Sequence, residues 1–554
     1  MFKRYPYFYL VLAFLLAGGV VQVLNGPLVQ AEGSSFDCAN VIQIPQVECE
    51  ALVALYTATD GDNWQVNNGW LDNNIPCQWH GITCAGGQVS ELDLAFNQLS
   101  GEIPPELGSL TNLEQFHLSN NQLSGEIPPE LGDLANLWSL DLPFNQLSGE
   151  IPPELGSLAN LERLSLFNNQ LSGEIPPELG SLANLRWLSL PNNQLSEEIP
   201  SELGSLTNLE QFDLSNNQLS GEIPPELGSL ANLWRLDLSS NQLSGEIPSE
   251  LGSLANLMFL YLPNNQLSGE IPPELGSPAN LRWLLLSNNQ LSGEIPLELG
   301  SLTNLWRLDL SSNQLSGEIP PELGSLANLM LLYLPNNQLS GEIPPELGSL
   351  ANLQELGLFS NQLSGEIPPE LSSLTSLTRL RLHQNPLSGE LPGFLTSLSL
   401  DRFTFYDTEW CVPTEGEVLD WLATIPNLYS SGLVCDIPGN SLEGLVTTIE
   451  AEAAAGVQVD LYRSVELNNW QHLTTTHTSE AGSYQFDNLG QGIGIDYRVR
   501  FAGSQDQYAT QYYDNAPNID LATAITITPG IPRTGIDAVL NHNYRLYLPT
   551  IISQ

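Results

Sequence analysis

After Lys3 the 554-residue sequence holds no lysine, and basic residues of both kinds number 15 against 63 acidic ones. The formal charge of −48 repels a phosphate backbone, so nucleic acid is excluded as a partner, and an anionic membrane surface is excluded for the same reason. Charge is scarce overall, at 14% of residues against about 25% in ordinary globular chains, but 42% are hydrophobic, which makes the chain turn-rich and not disordered. No segment after Leu24 is apolar for long enough to cross a bilayer. Cysteine is absent from the whole stretch between Cys84 and Cys411. Also missing are a nucleophile elbow, a phosphate-cradling glycine loop, an HExxH helix, paired cysteine metal ligands and the signatures of a kinase. The histidines His80, His117, His383, His472, His477 and His542 are scattered; His472 and His477 stand five apart in a Thr-rich strand region, on opposite faces, which removes a shared zinc ion. Asp60-Gly-Asp62-Asn63 lacks the remaining ligands of a calcium loop and is a polar turn. An enzyme, a cofactor and a bound structural metal are therefore not expected.

Lys3 and Arg4 precede an apolar run from Tyr5 to Leu24, and Val29-Gln30-Ala31 offers small residues to a signal peptidase, so residues 1–31 read as a secretory signal. An uncleaved anchor is the alternative, because the run approaches the roughly 18 residues of a membrane span. Both place the chain in an oxidising compartment, secreted or at the cell surface. There Cys38, Cys49, Cys77, Cys84, Cys411 and Cys435 can form disulfides in about fifteen combinations on paper. Four lie before a long cysteine-free stretch and two after it, as staples at both ends would.

Within that stretch an asparagine recurs every 24 residues, at Asn97, Asn121, Asn145, Asn169, Asn193, Asn217, Asn241, Asn265, Asn289, Asn313, Asn337, Asn361 and Asn385. Around each sits the frame L-x-x-L-x-L-x-x-N-x-L-S-G-E-I-P-P-E-L-G-S-L, as from Leu233 to Leu254, and self-similarity at such a period marks a solenoid. In Leu233-Trp-Arg-Leu236-Asp-Leu238 the leucines at 236 and 238 alternate with polar neighbours. That predicts a short strand with leucines inward and residues 235, 237 and 239 outward. The asparagine then sits buried at a sharp turn, where its amide can both donate and accept, satisfying backbone groups of its own and the adjacent coil. Ser-Gly supplies a turn, Ile-Pro an extended approach, and Pro-Pro-Glu-Leu-Gly one helical turn with Pro at its opening and Gly at its close. The frame breaks at Glu197, Pro278, Ser372 and Leu391; the first two read as drift, and the last two sit where the solenoid must end. Leu233 to Asn256 differs from Leu305 to Asn328 only in Ser249 against Pro321, which points to recent duplication and cautions against treating any one coil as tailored.

The frame resembles the plant-type leucine-rich repeat, found in plant receptor ectodomains, polygalacturonase-inhibiting proteins and many secreted bacterial proteins, and the chain is most similar to the secreted bacterial kind. The resemblance covers 13 repeats over residues 89–400. It implies an α/β solenoid, a right-handed superhelix with a parallel β-sheet on the concave face and 3-10 turns on the convex face. Cys77-Gln-Trp79-His-Gly81-Ile-Thr-Cys84 and the amphipathic stretch from Cys49 to Trp64 resemble the family's N-terminal cap, assigned to 32–88; Cys411 and Cys435, flanking Leu419-Asp-Trp421-Leu422, resemble a C-terminal cap at 401–436. With the caps the resemblance implies bridges Cys77–Cys84 and Cys411–Cys435, and with those Cys38–Cys49. Beyond Cys435, Val457–Tyr462, Gly482–Phe486, Tyr497–Phe501 and Ala524–Thr528 alternate as strands of an all-β sandwich over 437–542. The run G-x-Y-x-F-x-x-L-x-x-G followed by Y-R-V-R-F resembles the Cna-B or carboxypeptidase-regulatory type of surface module. The lysine-to-asparagine isopeptide bond of some Cna-B modules is chemically impossible here, because there is no lysine to form it. Residues 543–554 are a tail.

Outward strand positions are then the candidate binding surface. Arg163, Trp187, Arg235, Phe259, Trp283, Arg307, Leu331 and Arg379 form one column, and Asp213, Asp237, Tyr261, Asp309 and Tyr333 stand in the next. Aromatic and Arg side chains anchor protein interfaces and also stack on sugars, so the expected function is non-catalytic binding or adhesion, directed at an extracellular protein, peptide or glycan. Two rivals stand beside it: an inhibitor of a secreted hydrolase, which the resemblance allows, and a purely structural coat whose Arg and Asp merely neutralise one another. Gly-Glu-Ile-Pro-Pro-Glu meanwhile stacks two rows of glutamate, Glu102 and Glu106 through Glu366 and Glu370. Like charges ~5 Å apart in water repel by roughly 0.8 kcal/mol before screening, so a weak association of divalent cations with these rows is expected, against the alternative of a solubility coat. On the first view the melting temperature rises with added salt or calcium; a melting temperature indifferent to both leaves the coat.

Overall fold

A computed structural model describes residues 36–413, 416–430 and 433–435 and, beyond them, 441–448, 457–466, 469–487, 497–502, 511–512 and 538–540. The secretory signal at 1–31, the strand expected at 524–528 and the tail at 543–554 lie outside the described residues. Among the described residues no helix is long and apolar enough to cross a membrane.

Each 24-residue unit makes one coil. Its strand is only three residues long, as in Arg235–Asp237, because one inward leucine and the outward residue on either side of it are all that the turn before and the asparagine turn after leave room for. Successive strands pair in parallel at a shift of 24, Arg235 against Phe259 and Asp237 against Tyr261, so that outward residues stack in straight columns. In the coil that begins at Leu233, the side chains of Leu233, Leu236, Leu238, Leu243, Ile247, Leu251 and Leu254 are all buried, and one core runs unbroken from the N-terminal cap to Ile425. The convex side is a stack of 3-10 turns such as Pro225–Ser229, each immediately preceded by a proline, and most begin with a second one. Glycine closes them because the next coil lies against it: a Cβ on Gly252 would stand 2.4 Å from the carbonyl oxygen of Glu274. Ser372 takes that place in the repeat before the last, where its hydroxyl turns back to the carbonyl of Pro369 at 2.6 Å. Pro278, buried in the position of a core leucine, shortens its turn to Pro273–Gly276. Glu197 adopts φ +65°, a left-handed conformation that glycine fills in the neighbouring coils.

The buried asparagines do what their spacing predicts. The side-chain amide of Asn241 donates to the carbonyls of Leu214 in the preceding coil (3.0 Å) and Leu238 in its own (3.2 Å), while its oxygen accepts from the backbone N–H of Leu219 (3.1 Å). A second asparagine per coil, which the sequence reading did not single out, works on the convex side: Asn232 donates to the carbonyl of Thr207 at 2.9 Å from an exposed position.

The long sheet has 16 strands, three more than the repeats provide. One is the antiparallel strand Ile82–Ala85 of the N-terminal cap; the others, Arg402–Thr404 and Asn427–Tyr429, continue the parallel ladder. The expected C-terminal cap thus consists of two further coils of irregular length, bound together by Cys411–Cys435. The bridges Cys38–Cys49 and Cys77–Cys84 also form, and the first ties helix Gln46–Ala58 over the open end of the core beside Trp64, Trp70 and Trp79. Beyond residue 440, a three-stranded sheet and a four-stranded sheet enclose a separate core that includes Leu442, Val459, Leu461, Phe486, Val499 and Phe501.

Asn241→Ala strands the buried N–H of Leu219 and leaves the carbonyls of Leu214 and Leu238 with one asparagine donor each, Asn217 and Asn265, and is expected to cost about 3 kcal/mol in urea-induced unfolding, whereas Asn232→Ala at its exposed site costs about 1 kcal/mol or less. Equal losses would remove the distinction between the two ladders.

Candidate ligand-binding face

Strand alternation sends every second side chain away from the leucine core, and the parallel register brings those residues together across coils. All twelve expected binding residues lie on the concave sheet: Arg163, Trp187, Asp213, Arg235, Asp237, Phe259, Tyr261, Trp283, Arg307, Asp309, Tyr333 and Arg379. The middle of the face is a continuous aromatic patch. Trp283 meets Phe259 edge-on at 5.9 Å and Tyr261 at 6.0 Å, Trp234 meets Phe259 at 6.0 Å, and the guanidinium groups of Arg235 and Arg307 lie 5.0 Å and 5.4 Å from the rings of Tyr261 and Tyr333.

Asp213, Asp237 and Asp309 depart from their expected role. Each is only 7% exposed, because the serine two residues on draws its carboxylate down against the sheet: Ser239 donates to Asp237 through its hydroxyl (2.6 Å) and its backbone N–H (3.1 Å), and Ser215 and Ser311 do the same for Asp213 and Asp309. Burial and the neighbouring Asp213 charge push the Asp237 carboxyl up. These acids hold arginines in place and present little of themselves. Arg235 reaches Asp237 at 3.0 Å and Asp213 at 3.4 Å, Arg307 reaches Asp309 at 2.9 Å, Arg163 reaches Asp141 at 2.7 Å, and Arg379 reaches the buried Glu355 at 2.9 Å. Mutual neutralisation and an exposed aromatic surface therefore coexist on one face.

Another column escaped the sequence reading. The ladder runs one residue further towards the N-terminus than the alternating leucines indicate, with the N–H of Trp234 donating to the carbonyl of Glu210 and that of Met258 to the carbonyl of Trp234, both at 2.9 Å. Trp138, Arg186, Trp234, Arg282 and Trp306 accordingly border the face, and Trp138 and Trp306 are 37% and 41% exposed. The signal was the first variable residue after the leading leucine of each frame, often Trp, Arg or Met. Charge also changes along the face. The first four coils carry Glu91, Asp93, Glu114, Asp141 and Glu162 against Arg163 and His117, whereas the last repeats and the following coil carry Arg379, Arg381 and Arg402 against Glu355 and Asp401. The glutamate rows lie away from this face and line shallow grooves between coils, as Glu270, Glu294 and Glu318 do; among the described residues no three metal-ligating side chains converge on a point.

At the C-terminal edge His383 is stacked between Phe359 at 4.4 Å and Tyr406 at 4.3 Å and shares a 2.7 Å hydrogen bond with the Thr404 hydroxyl. Burial first, and the Arg381 charge second, hold its imidazole down to about 4.

Models of the leucine-rich repeat match residues 87–147, 160–182, 183–232, 232–254 and 256–278, and one for a leucine-rich repeat region matches 272–391. A rice relative, the probable inactive leucine-rich repeat receptor kinase XIAO, is 42% identical over 92 residues, which are 16% of this chain and 8% of the relative. The structure of the plant peptide hormone receptor RGFR1 in complex with RGF2 is similar at TM-score 0.56 and 37% identity; the match covers 60% of this chain and 57% of the receptor, little more than half its length. An LRR protein of Leptospira interrogans is similar at TM-score 0.51 and 34% identity, over 61% of this chain and 83% of that one.

Because the folded His383 titrates below its ordinary value of 6.5, its contribution is fully present above about pH 6.5 and is lost as pH falls through the folded value near 4, by about 3 kcal/mol in all. His383→Phe is expected to remove that part of the acid sensitivity between pH 6.5 and 4 in urea titrations; an unchanged profile would show that this histidine does not carry it.

Proposed function

Since the chain belongs to the leucine-rich-repeat family, we propose that it is an extracellular, non-catalytic binding protein that captures a peptide or protein segment on its concave sheet. The observation that carries this is the aromatic patch around Phe259, Tyr261 and Trp283, half-buried rings that pack on one another on the outside of the sheet and serve no core. Support comes from the similarity to a receptor whose structure holds RGF2. The secretory signal at 1–31 and three disulfides support export, with an N-terminal anchor as the alternative. The sheets beyond residue 440 act as a Cna-B-like spacer between the solenoid and its surroundings. A structural coat remains the rival, favoured by the arginines whose charges are already matched on the sheet.

Probing the full secreted chain against peptide and glycan arrays tests the proposal. Trp283→Ala is expected to weaken the hits about thirtyfold, the loss of one central aromatic anchor, while Glu294→Gln on the opposite flank changes nothing. Hits indifferent to Trp283, or an array without hits, would favour the coat.

A further inference from the structure

The concave sheet repeats itself in a way the leucine frame does not require. The coil starting at Leu233 and the one starting at Leu305 carry the same outward residues, and the coils that follow them open with Leu257-Met-Phe-Leu-Tyr and Leu329-Met-Leu-Leu-Tyr. The geometry is duplicated as well. Arg235 meets Asp237 at 3.0 Å and lies 5.0 Å from the ring of Tyr261; Arg307 meets Asp309 at 2.9 Å and lies 5.4 Å from the ring of Tyr333. In both places the Nε of the arginine is covered and has no hydrogen-bond partner, and the guanidinium lies between an aspartate and a tyrosine; Arg235 additionally reaches Asp213 at 3.4 Å, where the second copy has Leu285.

We propose that the face carries one binding subsite twice, around Tyr261 and again around Tyr333, and that its occupant is an extended peptide with two bulky apolar side chains four residues apart. This rests on the binding function proposed above and specifies its ligand. Three coils separate the copies, or ~14 Å at ~4.8 Å per strand, and an extended peptide rising ~3.4 Å per residue covers that distance in about four residues. Residues i and i+4 of an extended chain also point to the same side, as two pockets in one sheet demand. The chemistry selects a peptide side chain over a sugar. A sugar ring needs free acceptors and donors around its hydroxyls, but the carboxylates of Asp237 and Asp309 are 7% exposed and turned inward to serine and arginine. What each copy offers is a tyrosine ring in a strand that also carries Phe259 or Leu331 and is preceded by Met258 or Met330, apolar surface with its charges cancelled. Trp283, in contact with Tyr261 at 6.0 Å and lying 6.0 Å from the guanidinium of Arg307, makes the ground between the copies apolar too.

Selection of a phage-displayed library of random 12-residue peptides on the full secreted chain tests this. The expected binders are enriched for Phe, Leu, Ile, Met or Trp pairs at a separation of four, and synthetic versions lose at least tenfold in affinity with Tyr261→Ala and by a similar factor with Tyr333→Ala. Tyr261→Phe and Tyr333→Phe, which keep the rings, retain binding, and circular dichroism checks that each variant is folded. Binders that need one tyrosine and ignore the other, or that carry no preferred separation, would overturn the repeated subsite while leaving peptide binding in place. A selection that yields no binder, or binders indifferent to both tyrosines, would overturn the binding function and this inference together.

Discussion

Everything in the solenoid depends on one buried amide per coil. An asparagine is short enough to enter the turn, and its amide both donates and accepts, so it can close backbone groups of two coils at a place water does not reach. Leucine packing supplies most of the cohesion but is indifferent to a sliding of one coil past the next. The amide is not, because its partners sit 22 and 27 residues back, and only a shift of one whole frame restores them. Register in this rod is therefore set locally, coil on coil, as the nearest-neighbour character of repeat architectures requires.

Once register is set, the outward positions are free to vary, and the chain uses them unevenly. Aspartates on the strands turn inward to hold arginines and are shielded by serines; rings take the remaining surface. The result is a face whose charges largely cancel within a protein that is otherwise strongly acidic. A partner approaching the convex flanks meets glutamate at every coil, while one approaching the sheet meets aromatic carbon. Long-range charge thus opposes an acidic partner everywhere except on this face.

Periodicity made the frame legible in the sequence: inward leucines, the asparagine ladder and the proline-opened turns all follow from a 24-residue pattern with a physical reason at each position. What stayed hidden depended on a second side chain. Asp237 looks outward by alternation, and only the hydroxyl of Ser239 two residues later reveals that it is held down. Trp234 and Trp306 precede the alternating stretch, so nothing in a period-two pattern announced that they would edge the sheet. The coils at 402–404 and 427–429 lack the frame, and their spacings drift from 24, so the sequence shows a cap there without showing that it is made of further coils. In the C-terminal module the strand Ser441–Thr448 was missed because Gly444 interrupts its alternation.

The placement of the arginines also bears on resistance to proteolysis. Among the described residues every arginine lies within a strand or immediately before one, its peptide group engaged by neighbouring chain on the sheet. Lysine does not occur there at all. An endopeptidase that cuts after basic residues needs an extended, unpaired substrate in its cleft, so on this rod it meets no ready scissile bond and must wait for a coil to open. Digestion of that kind would report how readily a coil opens and not the accessibility of the folded surface.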